Sequence, residues 1–320
     1  MPSLKEIKNR ITSVQSTRKI TSAMKMVASS KLHHAQQMIE NMLPYESMLE
    51  DILKSFLVSD VEAKGSITQA RPVKTVALLV FSSNSSLCGG FNANVLKLMQ
   101  KTVEKYSEQG VKVIVYPIGR KVAEKVQKLG IELAGNFNQL ADKPNSVECA
   151  EIGRQLQAQF DGGTIDKVEM IYHHFKSAGS QILQDKVLLP IDIESAMDYD
   201  HERDLKSTIA TEKATEYLKR NHQKETYKNK EGKALNDNFI VEPDMQTVLS
   251  MLVPRYVNLM LYTALLDSNA SEHAARMVAM QTATDNADEL LRELNLQYNK
   301  SRQQAITNEL LDIVGGSVNN

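Results

Sequence analysis

Twelve of the fourteen glycines in this 320-residue chain lie between Gly65 and Gly232, and the other two are Gly315 and Gly316. A helix interior disfavours glycine by about 1 kcal/mol relative to alanine, so long glycine-free stretches are where long helices form. Two glycine-free arms thus bracket a glycine-punctuated middle. The chain is constrained to two long helices set around a region of turns and strands.

The first arm, residues 1–57, opens with Ser3 in an N-cap position and Glu6 three residues on, a capping-box spacing that satisfies first-turn amides. Leu4, Ile7, Ile11 and Val14 then recur at alternating spacings of three and four. The same heptad frame resumes at Ala28, Leu32, Ala35, Ile39 and Met42, with Arg18, Thr21 and Lys25 in the seam between. Pro44 lacks an amide donor and clashes with the preceding turn, so a kink or an end is expected there.

The last arm, residues 244–314, keeps the alternation through Met277, Met280, Thr284, Ala287, Leu291, Leu294 and Tyr298. So narrow a stripe is a coiled-coil seam, and the two arms are expected to pack along one another antiparallel. At about 1.5 Å per residue the C-terminal helix is about 100 Å long, against about 60 Å for the N-terminal one up to the proline. Part of the longer helix must therefore lack its partner. Its tip carries Ile306, Leu310, Leu311, Ile313 and Val314, and exposed apolar surface of that extent calls for a sleeve made by other chains.

The middle, residues 73–193, contains β-type runs at 74–81 (KTVALLVF), 112–118 (KVIVYPI), 167–175 (KVEMIYHHF) and 181–189 (QILQDKVLL). The first three alternate with helix-like segments at 94–108, 120–128 and 146–160, the βαβ rhythm of a mostly parallel sheet. Ser177, Ala178 and Gly179 make a hairpin-length link to the fourth, which is expected to be antiparallel. The fold class is α/β: a long antiparallel coiled coil of the terminal helices plus a central Rossmann-like domain. Residues 194–238 are dense in Glu, Lys, Asp and Asn and read as an exposed polar insertion.

Net charge is −1, so nothing in the whole-chain balance points to nucleic acid or an anionic membrane. The start has charges but no apolar stretch behind them, against a signal peptide. The most apolar runs, 76–81 and 257–266, are far shorter than the ~20 residues of a membrane span, so no direct membrane insertion is expected. Cys88 and Cys149 are far apart, without metal-ligand spacing, which fits a reducing compartment.

Residues 82–92 (SSNSSLCGGFN) follow a strand and precede a helix, where α/β proteins bind phosphates. The segment has neither GxxxxGK[ST] nor GxGxxG, so a tight turn of small residues is the favoured reading, and Cys88 reads as a structural thiol. Two histidine pairs, His33 with His34 and His173 with His174, diverge on a helix or a strand and form no chelate unaided. Asp285, Asp288 and Glu289 read as a solvated or lysine-paired helix face rather than a metal or acid-base site. No catalytic residue, cofactor or metal is assigned.

The charge of the first helix is more informative. Residues 1–34 hold Lys5, Lys8, Arg10, Arg18, Lys19, Lys25 and Lys31 against Glu6 alone, seven cations to one anion. The arm has no aromatic before Tyr45 with which to stack bases, against a nucleic-acid partner. The acidic run 285–293 meets part of this charge, and the remainder implies an acidic protein surface.

Four separated segments, IKNRITSVQSTRKITSAMKMVASSKL (7–32), LCGGFN (87–92), ASEHAARMVAMQTATDNADEL (270–290) and YNKSRQQAITNELLDIVGG (298–316), resemble the gamma subunits of F-type ATP synthases in matching order. The resemblance covers nearly everything outside the polar insertion. It implies a non-catalytic rotor shaft, turned by proton flow through a membrane c-ring inside a head of alpha and beta subunits, with ATP chemistry on beta. It further implies an epsilon partner and a peripheral location on the cytoplasmic face of the bacterial inner membrane. By the same resemblance Met24 and Lys25 match a contact with the beta lever, with Glu272 and Arg276 on the facing stretch. Arg302, Gln303 and Thr307 match a contact with a beta catch loop, Cys88 a loop cysteine near beta, and Ile306, Leu310 and Ile313 the tip held in the bearing. His33 and His34 stand where relatives often carry Arg or Lys, so charge there is expected to depend on pH. Ser317 replaces the usual alanine after Gly316, and the insertion lacks the two cysteines of the chloroplast redox switch. The alternatives are a non-rotary coiled-coil adaptor and a binder of a small phosphorylated ligand at residues 82–92.

Overall fold

The computed structural model describes residues 3–59, 71–191 and 241–318; the polar insertion at 194–238 lies outside the described residues. The element order is α1 (Leu4–Ser59), β1 (Thr75–Phe81), α2 (Phe91–Glu108), β2 (Lys112–Ile118), α3 (Arg120–Leu129), β3 (Glu132–Leu133), α4 (Asn138–Asp142), α5 (Ser146–Asp161), β4 (Lys167–Ser177), β5 (Ser180–Leu189) and α6 (Met245–Val318). The chain divides into two compact units, one of residues 1–29 with 276–320, the other of residues 30–275. The division falls inside each long helix. The terminal arms are therefore coiled coil over only part of their length, and the rest of each helix belongs to the α/β unit.

In the first unit, the capping box forms as expected: the Ser3 amide donates to Glu6 Oε2 at 2.8 Å and the Glu6 amide to Ser3 Oγ at 3.3 Å. Ile7, Thr21 and Ala28 of α1 are buried, as are Met280, Ala287, Leu291 and Leu294 of α6. Two cross-helix contacts fix direction and register. Thr21 and Thr284 share a hydroxyl hydrogen bond of 2.8 Å, and Arg18 Nε lies 2.6 Å from Asp288. Moving three residues up α1 moves four down α6, so the helices are antiparallel. At one residue per residue, that register sets Leu4 level with about residue 302 of α6. Beyond it the helix continues without α1 beside it, and Ile306, Leu310 and Leu311 are exposed.

In the second unit, the sheet order is β3-β2-β1-β4-β5, parallel except for the β4–β5 hairpin. Side chains alternate faces along a strand, and the hydrophobic content divides accordingly. Leu78, Val80 and Ile171 pack with Val95 and Met99 of α2 and with Val122 and Val126 of α3. Ala77, Leu79, Phe81, Met170 and Tyr172 face α5 and the Leu249–Leu265 stretch of α6, together with Leu49 and Leu53 of α1. Both faces are covered, which is why β1 reads as a continuous apolar run.

Two helix ends require correction. Helix α1 carries Pro44 in its interior and ends at Ser59, just past the expected end at residue 57. A proline removes one hydrogen bond and crowds one carbonyl, and burial of Leu49 and Leu53 on the far side offsets that cost. The C-terminal helix runs through Gly315 and Gly316 to Val318 rather than stopping at Val314. One 18-residue window of α6, within Gln246–Leu311, passes for a membrane span by length and composition alone, and 56% of it is buried in the protein, as in a core helix.

Candidate functional site

Residues 82–92 leave the carboxyl end of β1 and fold back on themselves. Asn92, in the first turn of α2, accepts from the Ser83 amide at 3.1 Å and donates to Cys88 Sγ at 3.1 Å and to Ser83 Oγ at 2.8 Å. The Cys88 thiol is buried, with Ser83 Oγ 3.7 Å away. Leu87 takes a φ of 68°, the left-handed region that non-glycine residues rarely adopt, and leaves its side chain exposed. Phe91 stacks on the His173 ring with centroids 4.5 Å apart. The loop is also tied to its neighbours: Asn84 Nδ2 donates to the Asn138 carbonyl of α4 at 2.7 Å, and the Arg120 amide of α3 donates to Asn84 Oδ1 at 2.8 Å. A small, shallow cleft beside it is lined by Ser82, Ser268, Asn269 and Glu272 among others.

Adjacent His173 and His174 point to opposite faces of β4, as the strand period requires. Both are buried. Burial lowers the His173 pKa to about 4, so this ring is neutral at ordinary pH. His174 Nδ1 meets Asp267 Oδ2 of α6 at 2.6 Å, with both side chains almost fully enclosed. The other pair lies on α1, both exposed, with His33 Nε2 bonded to Gln37 Nε2 at 3.2 Å. Burial pushes the Cys149 thiol up to about 12, leaving it unionised. Among the described residues no group of three or more His, Cys, Asp or Glu is arranged to hold a metal ion. Asp288 faces Arg18, and Asp285 accepts from Gln281 on its own helix.

The residues expected to touch partners fall into distinct environments. Met24 is 37% exposed and Lys25 half-buried on α1. Arg302, Gln303, Ile306, Thr307 and Leu310 all lie exposed on α6. Arg276 is half-buried at the start of the α6 part of the first unit. Glu272 is buried in the second unit, at 4% exposure, and Cys88 is enclosed by its own loop. Ile313 lies within α6, and its side chain is outside the described residues. The exposed outer face of α1 also carries Ile20, Met26 and Val27, apolar residues that the seam-directed reading passed over. Their signal was present in the sequence as apolar positions outside the heptad frame.

Sequence reasoning also missed a buried polar run on α6. Asp267, Ser268, Asn269, Ser271, Glu272 and His273 are all less than a tenth exposed. Ser271 Oγ donates to the His173 carbonyl at 3.2 Å, and Asn269 Nδ2 to the Ala141 carbonyl at 2.8 Å. The available signal was a polar block between apolar stretches of one helix, a pattern that requires buried partners.

Comparison with known proteins agrees with this arrangement. The ATP synthase family model matches residues 3–318. A protein of Bacteroides fragilis named ATP synthase gamma chain is 52% identical over 319 residues, covering 99% of this chain and 100% of that one. Among solved structures, the fold is shared with a chain of the Tetrahymena thermophila mitochondrial ATP synthase central stalk and c-ring, with TM-score 0.52 and 24% identity over 82% of this chain and 99% of that one. It is also shared with a chain of the Euglena gracilis mitochondrial ATP synthase OSCP/F1/c-ring assembly, with TM-score 0.56 and 16% identity over 98% of this chain and 93% of that one. With its antiparallel terminal helices, five-stranded sheet and end-to-end match, the chain belongs to the ATP synthase gamma-chain family.

Proposed function

We propose that this chain is the central rotor shaft of an F-type ATP synthase, transmitting rotation between a proton-driven c-ring and a head of alpha and beta subunits. Catalysis resides on beta, and this chain contributes no catalytic group. The complex is membrane-associated, here on the cytoplasmic face of a bacterial inner membrane, with epsilon as a further partner. The observation that carries the reading is the α6 tip that outruns its antiparallel partner with Ile306, Leu310 and Leu311 exposed. A helix end of that character needs a surrounding sleeve. A shaft that makes different contacts with each beta subunit biases each toward a different conformation, which is how rotation changes nucleotide affinity.

Within this reading Met24 and Lys25 meet the beta lever, Arg276 lies on the facing stretch, and Arg302, Gln303 and Thr307 engage the catch loop. Ile306, Leu310 and Ile313 form the bearing end. Cys88 and Glu272, being buried, act on beta through the shape of the loop and helix that enclose them. Lys25→Glu is expected to lower ATP-driven proton pumping more than it lowers assembly, because it reverses a charge facing an acidic lever. Pumping equal to wild type would remove Lys25 from that contact.

The isolated chain is expected to show no ATP hydrolysis and to copurify with alpha and beta. Robust turnover by the chain alone, or a stable homo-oligomer in sedimentation with no affinity for alpha and beta, would contradict the reading.

A further inference from the structure

We propose that Leu87 is a docking anchor, the side chain through which the loop at residues 82–92 seats in an uncharged apolar pocket on the alpha and beta head. The inference rests on the rotor reading and names a contact that the enclosed Cys88 cannot make itself. Leu87 is 60% exposed, and its φ of 68° lies in the left-handed region. Among the described residues every other positive φ belongs to a glycine, including Gly89 at 57° in the same loop. A left-handed backbone crowds the Cβ of leucine, and exposure leaves its apolar surface in water. Glycine or asparagine would relieve both penalties. Fold stability therefore disfavours leucine at 87 on two counts, and strain kept against stability marks a contact made outside the chain.

The chain on either side of Leu87 is pinned, which holds the side chain outward. Before it, the Ser85 carbonyl accepts from Ser83 Oγ at 2.6 Å and from Asn92 Nδ2 at 3.3 Å. After it, the buried Cys88 thiol accepts from Asn92 Nδ2 at 3.1 Å, and the Cys88 carbonyl accepts from the Phe91 amide at 3.2 Å. Phe91 stacks on His173 of β4, so the loop is mounted on the sheet. An anchor presented in this way loses little freedom on binding. The rim says what it meets. Residues 75–96 contain no charged side chain, and Ser85, Ser86, Gly89 and Gly90 are exposed beside Leu87. Arg120 and Asp142 join the loop at Asn84, with opposite charges that offset one another. A charge on the partner would lose its water over this rim and find no counter-ion. The matching pocket is therefore apolar and uncharged, unlike the acidic surface that the lysines of α1 call for.

The test compares Leu87→Asn with wild type, as the full chain alone and in complex with the alpha and beta head. Wild type is measured first, since failure to bind the head would remove the rotor reading and this contact with it. In chemical denaturation of the chain alone, Leu87→Asn is expected to be at least as stable as wild type, because asparagine tolerates the left-handed backbone. Its dissociation constant for the head is expected to rise at least fivefold. That ratio is expected to be the same at low and high salt, since no charge takes part. Leu87→Met, which keeps an apolar side chain of similar volume, is expected to bind within twofold of wild type. A Leu87→Asn chain less stable than wild type would show that Leu87 serves the fold, and head binding within twofold of wild type would show that it makes no contact. Either result overturns the proposal and leaves the rotor reading standing, as does a loss of affinity confined to epsilon.

Discussion

Gly119 sits at the carboxyl end of β2 with a φ of 106°, and a Cβ there would lie 2.1 Å from the Ser82 carbonyl oxygen. Neither the backbone nor its neighbour can yield, so Gly119→Ala is expected to cost about 3 kcal/mol or more. Gly110 has a φ of 69° with nothing within 4 Å of its Cβ position, so Gly110→Ala is expected to cost only about 1 kcal/mol. Chemical denaturation of the two variants separates clash from dihedral strain. His173 supplies a pH dependence at the same scale. Its pKa is about 4 folded against 6.5 unexposed to the fold, so the unfolded chain binds the extra proton between those values. The contribution is fully present above pH 6.5 and is lost as pH falls toward 4, up to about 3 kcal/mol. His173→Phe keeps the stack on Phe91, and its stability relative to wild type is expected to rise across that window. A constant difference between the two proteins would contradict this account. Asp166 adds to acid lability. Burial opposes its charge, but the amides of Lys74 and Thr75 and the Arg71 guanidinium hold its pKa below the usual value. That stabilisation is present above the unfolded pKa and is lost as pH falls through the folded one.

Among elements, the paired stretch of α1 and α6 separates apolar seam from polar rim. Leu294 is buried in the seam, so Leu294→Ala is expected to destabilise the helix pair by about 2 kcal/mol. Arg18 and Asp288 are roughly half exposed, and Arg18→Ala is expected to cost under ~1 kcal/mol despite the 2.6 Å contact. Thermal melts of the full chain report both. The three-four alternation, the capping box at Ser3 and the apolar run of β1 were legible because each is a local pattern with one geometric solution. Strand β3 was not, since two residues are too few to show a period. Five-residue α4 escaped for the same reason. The extent of the first arm to residue 57 was legible despite Pro44, and burial of Leu49 and Leu53 against distant residues holds that stretch of α1 in place.

For the whole molecule, the arms were expected to be a shaft and the middle a separate domain. The structure redraws that boundary within the helices, with residues 30–59 and 245–275 belonging to the α/β unit. That assignment explains the polar block Asp267–His273: this stretch of α6 is not seam but is embedded against β4 and α4. The expected unpartnered tip was legible from helix lengths alone, and the observed register gives the same result. Burial of Glu272 was not legible, because sequence similarity aligns positions without showing which way a side chain faces, whereas the enclosed Cys88 agrees with its reading as a structural thiol.

The central claim is that rotation of this chain is coupled to nucleotide turnover in an alpha and beta head. With the head fixed to a surface and a probe attached to the α/β unit, ATP is expected to drive stepwise rotation of the probe in one direction. Sustained ATP hydrolysis by the same complexes with no directional rotation would contradict it.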